Sequence, residues 1–66
     1  MEISLMKKDG KIHTQFKIRI KEKENWLLYL TVKYGIDTEK PVKKNSRYLY
    51  YEKEGDWLNR SSNTMS

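Results

Sequence analysis

Hydrophobic and polar residues alternate almost without error from residue 11 to residue 21. Ile12, Thr14, Phe16, Ile18 and Ile20 fall on one side, and His13, Gln15, Lys17, Arg19 and Lys21 on the other. A period of two held over this length describes a strand with one face buried and the other in water. Just upstream, Asp9-Gly10 between Lys8 and Lys11 supplies two residues that accept positive φ, as a two-residue hairpin turn requires. Folding the chain about that turn sets Ile3 opposite Phe16, Leu5 opposite Thr14 and Glu2 opposite Lys17. Apolar side chains then meet on one face and opposite charges on the other.

Beyond the charged stretch 21–25, residues 26–34 have two readings. As a strand closing a second hairpin, the segment sets Trp26, Leu28, Leu30 and Val32 against Ile20, Ile18, Phe16 and Thr14. As a short helix capped by Asn25, it gathers Trp26, Leu27, Leu30 and Tyr34 on one side. The strand is preferred, because Tyr29, Thr31, Val32 and Tyr34 are poor helix residues, although the turn 21–25 lacks a glycine. Gly35 ends the element. Residues 36–45 read as a loop with room for one helical turn, since Pro41 does not suit a central strand. Residues 47–51 form a fourth strand candidate. Glu54-Gly55-Asp56 is a turn, after which Trp57 and Leu58 fold back as a lid.

The expected fold is therefore mainly β: a small antiparallel meander of three to four strands, with a short helix placed, if anywhere, in 36–45 or 26–34. Residues 1–60 form one domain and 61–66 an unfolded polar tail. The expected core is Ile3, Leu5, Ile12, Phe16, Ile18, Ile20, Trp26, Leu28, Leu30 and Val32.

Composition supports the lean towards strands: the chain has no alanine, the best helix former, and many β-branched and aromatic residues. Sixty-six residues bury little surface, and with no cysteine there is no disulfide and no thiolate metal site to help. A lone His13 has no converging carboxylates, so no metal and no cofactor are expected. No apolar run is long enough to span a bilayer and no signal-like apolar stretch opens the chain, so the expectation is a cytoplasmic protein without membrane contact. His13 on the wet face of a strand is ordinarily a solvated side chain rather than a base. Phosphate loops, paired histidines and serine-nucleophile patterns are all missing, and no enzyme is expected.

Charge points outward instead. Fourteen Lys and Arg against nine Asp and Glu leave a net charge of +5, carried by eleven lysines and only three arginines. Two binding roles follow. The first is a non-catalytic accessory protein that covers a larger protein partner. Leu27, Tyr29, Tyr48 and Tyr50, with Met6, fall on the face opposite the core and exceed what one sheet face hides. A short basic chain of this kind is similar in size and charge to phage or mobile-element accessory proteins that inhibit a host protein, an analogy carried by no motif. The second is a nucleic-acid-binding sheet face using Lys17, Arg19, Lys21, Lys43 and Lys44, with tyrosines beside them. A second copy of the chain, as a homodimer, is a further way to cover the apolar surplus.

Overall fold

The computed structural model of the chain describes residues 1–58; the polar tail expected at 61–66 lies outside the described residues. The fold is two layers: a four-stranded antiparallel sheet and one helix packed across one of its faces. The hairpin read from Asp9-Gly10 is present. β1 (Glu2–Lys8) and β2 (Lys11–Arg19) pair antiparallel with Glu2 opposite Lys17, Ile3 opposite Phe16 and Leu5 opposite Thr14. Asp9 and Gly10 take φ of 53° and 78°, both positive, as the mirror-image turn of a two-residue hairpin demands.

The chain departs from the preferred strand reading after Arg19. A single 3-10 turn over Ile20–Glu22 leads into α1 (Lys23–Tyr34), so residues 26–34 are helical. Asn25 lies inside the first turn, and no side chain caps the start. Glu24 in the first turn and Lys33 in the last complement the helix dipole. Gly35, at φ 66°, closes the helix in the left-handed region. Its N–H donates to the Thr31 carbonyl at 3.1 Å, and the Ile36 N–H to the Leu30 carbonyl at 3.3 Å. That reversal tucks Ile36 into the core.

The helix wins because the place beside β2 is taken by another strand. β4 (Tyr48–Glu54) pairs antiparallel with β2, setting Tyr51 opposite Phe16 and Leu49 opposite Ile18. A sheet alone would leave Phe16, Ile18 and Tyr51 facing water; a second layer has to cover them. Leu30 and Tyr34 are buried beneath α1, with Trp26 and Leu27 partly so, the side foreseen for the helical reading. Leu28 and Val32, which a strand would have turned inward, are 68% and 77% exposed. Leu5 and Ile12 lie beyond the cover of the helix and are also exposed, so the expected core shrinks on that side. Phe16, Ile18 and Leu30 remain as its centre, joined by Tyr34, Ile36, Leu49 and Tyr51.

In the loop 36–45 the only regular structure is β3 (Lys43–Lys44), a two-residue strand pairing with β4, and the sheet order is β1-β2-β4-β3. The β3–β4 turn is built by Asn45, whose Oδ1 accepts from the Arg47 and Tyr48 N–H groups at 2.8 and 2.7 Å. At the other end of β4, buried Thr14 ties down the chain. Its Oγ1 donates to the Gly55 carbonyl and accepts from the Trp57 N–H, both at 2.8 Å. Trp57 therefore packs against the core, edge-on to Tyr34 at 6.3 Å, while Leu58 remains exposed.

Candidate nucleic-acid interface

Strand alternation divides the sheet into a covered face and an open one. The covered face takes Thr14, Phe16 and Ile18 from β2 with Leu49, Tyr51 and Lys53 from β4. The open face takes the residues between: His13, Gln15, Lys17 and Arg19 opposite Glu54, Glu52, Tyr50 and Tyr48. β1 adds Glu2, Ser4, Met6 and Lys8, and β3 adds Lys43 opposite Tyr50.

The two ends of this open face differ in charge. Near the Asp9-Gly10 turn, bases and acids are matched. Lys8 Nζ lies 3.7 Å from Glu52 Oε1, Lys11 Nζ 3.5 Å from Glu54 Oε1, and His13 Nδ1 3.3 Å from Glu52 Oε1. At the far end the bases predominate. Lys17 reaches Glu2 only at 4.0 Å and sits 4.3 Å over the Tyr48 ring. Lys43 sits 5.4 Å over the Tyr50 ring, and the two tyrosine rings stand 6.4 Å apart. The aromatic faces hold ammonium groups by cation–π attraction, which spaces the lysines across the sheet.

Beside this pair an open cleft of about 440 Å³ is lined by Arg19, Ile20, Lys21, Ser46, Arg47 and Tyr48. Three of these six side chains are cationic and none is acidic. The cleft forms where β2 runs into the 3-10 turn and meets the β3–β4 turn, tethered by the Ile20 N–H donating to the Arg47 carbonyl at 2.9 Å. Two arginines and a serine share this lining, and a guanidinium group can engage phosphate oxygens bidentately.

Of the residues expected to bind nucleic acid, Arg19 and Lys21 line this cleft, and Lys17 and Lys43 stand beside it over the Tyr48 and Tyr50 rings. Lys44 does not: it pairs with Leu49 and so belongs to the covered side. Ser46 and Arg47 were not foreseen, because only the Arg19–Tyr48 pairing of β2 with β4 brings their turn to the end of β2. The four residues expected to share one protein-binding face are divided. Tyr48 and Tyr50 are on the open face, whereas Leu27 and Tyr29 are on α1, across the sheet from them. The helix is the cause: Leu27 packs against the core, and Tyr29 stacks edge-on with Trp26 at 5.6 Å and Tyr34 at 6.0 Å. Lys33, over the Tyr29 ring, is raised above the ordinary lysine pKa by its hydrogen bond to the Tyr29 side chain.

Among the described residues, no group of three or more His, Asp and Glu could hold a metal ion, and no helix is long and apolar enough to cross a membrane. Compared with protein-family models, with curated proteins and with solved structures, the chain matches none.

Proposed function

We propose that the basic end of the open face binds nucleic acid through its phosphates, as a non-catalytic module. One observation carries the reading: Arg19, Lys21 and Arg47 line a cleft that holds no carboxylate, and Lys17 and Lys43 stand on the open face beside it. Because the tyrosine rings already hold lysines, phosphate contact is favoured over stacking of bases, and little sequence preference is expected.

The test is fluorescence anisotropy with a labelled duplex and a labelled single strand over a salt series. Contact with about four or five phosphates predicts that log affinity falls against log salt with a slope near −4 on duplex DNA. Arg19→Ala should weaken binding to all sequences alike and flatten that slope by about one unit. Binding that ignores salt, or that survives the combined Arg19→Ala and Lys43→Ala change, overturns the reading.

A protein partner is the second reading, supported by the exposed Leu28–Val32 ridge on the outer side of α1. Leu28→Asp separates the two, since it alters that ridge and leaves oligonucleotide binding as it was.

A further inference from the structure

We propose that the outer edge of β1 pairs with β1 of a second copy of this chain, antiparallel about a two-fold axis at Leu5. The pairing is independent of the nucleic-acid reading.

Hydrogen-bond phase makes the edge available. In a two-residue mirror-image hairpin the residues flanking the turn, Lys8 and Lys11, exchange backbone hydrogen bonds, and the phase alternates from there. Glu2, Ser4, Met6 and Lys8 therefore address β2. The far side of β2 agrees, because the Ile12 carbonyl accepts from the Gly55 N–H at 2.7 Å, on the β4 side. Ile3, Leu5 and Lys7 are left with backbone groups aimed outward. Among the described residues no strand lies beyond β1. β1 is seven residues long, and neither a proline nor a bulge blunts it. The opposite edge, β3, is two residues long and made of lysine.

Charge complementarity selects the occupant and its direction. β1 carries Glu2 at its start and Lys7-Lys8 at its end. A parallel second copy stacks like on like. An antiparallel one centred on Leu5 sets Glu2 against the partner copy's Lys8 on the open face, at both ends of the interface, as a self-complementary two-fold contact requires. The same register sets Ile3 against Lys7, whose methylene stem covers it, and Leu5 against its own copy. Leu5 and the neighbouring Ile12 are 40% and 45% exposed in the single chain, and this contact covers them. Ile3, Leu5 and Lys7 each then donate and accept one backbone hydrogen bond across the axis. Both basic clefts end on the same side of one continuous eight-stranded sheet.

The experiment is sedimentation of the purified, nucleic-acid-free chain over a concentration series reaching the millimolar range, with the charge variants Glu2→Lys and Lys8→Glu. Wild type should approach twice the 8.0 kDa of one chain. Each variant alone should lose dimer at least tenfold in affinity, because like charges then meet at both ends. An equimolar mixture should recover it as a heterodimer, since the ammonium introduced at position 2 of one chain now meets the carboxylate introduced at position 8 of the other. Recovery in the mixture also shows that both variants fold. Leu5→Pro, which removes an outward N–H while leaving the β2 bonds and the cleft intact, should be monomeric and still bind oligonucleotide as wild type does per chain. A wild type that stays at one-chain mass, or dimers unaffected by the single charge changes, overturns the proposal.

Discussion

Consecutive residues of β2 and β4 lead different lives. Phe16 and Tyr51 are buried on the covered face, while Lys17 and Tyr50, one position along, lie on the open face under a different set of neighbours. The covered face gains its free energy by removing apolar surface from water, a short-range effect that depends on shape. The open face is a set of charges held apart by tyrosine rings and by backbone pairing. Stability and binding are thus written on alternate residues of the same strands, and a change at one position should alter one property and spare the other.

The largest expected break in that division is Phe16→Ala, which leaves a cavity at the centre of the core and should cost about 3 to 5 kcal/mol. In a chain this short that approaches the whole stability, so the variant should be unfolded in a thermal melt; Lys17→Ala, its neighbour, should melt within a few degrees of wild type. A near-native melt of Phe16→Ala would place the core elsewhere.

Next in size is a pair on the helix. Leu30→Ala should cost about 2 to 5 kcal/mol in urea, whereas Leu28→Ala, at an exposed position, should lie within about 0.5 kcal/mol of wild type. A strand over 26–34 would turn both inward and make both changes costly, so this contrast tests the helix directly.

The smallest effect concerns tyrosines of the two faces. The Tyr51 hydroxyl donates to the Thr38 carbonyl at 2.7 Å, and burial, aided by Asp37, pushes its pKa above the usual 10. The folded state therefore holds this proton more tightly than the unfolded chain. Its contribution is complete below pH 10 and falls as pH rises through the folded value, in the same direction as the raised Lys33. Tyr51→Phe should cost about 1 kcal/mol at neutral pH and lessen the alkaline loss of stability, read from denaturant midpoints between about pH 8 and 11. Tyr50→Phe, on the open face, should leave stability at neutral pH within about 0.5 kcal/mol of wild type.

The hairpin was legible because its information is local. Asp9-Gly10 sets a turn that needs positive φ at both residues, and side-chain period two leaves one register that keeps Ile3, Phe16 and Ile18 together. Lys17 and Arg19 followed from the same alternation, and Tyr48 and Tyr50 from the short strand around them. Residues 26–34 were harder because the segment is apolar at both strand and helix spacing. Tyr29, Thr31 and Val32 argue against a helix by propensity, yet propensity differences of a few tenths of a kcal/mol per residue yield to burial of Leu30 and Tyr34.

Local chemistry along the chain was enough to specify the Asp9-Gly10 turn, the two faces of β2, the stop at Gly35 and the excess of positive charge. Which strand lies beside β2 is a contest between distant segments, and packing settled it in favour of β4 over residues 26–34. That choice sent Leu27 and Tyr29 to the helix and brought the turn bearing Ser46 and Arg47 to the end of β2. A cleft that joins Arg19 to Arg47 has no signature in sequence spacing, because nothing but the folded backbone brings those distant positions together.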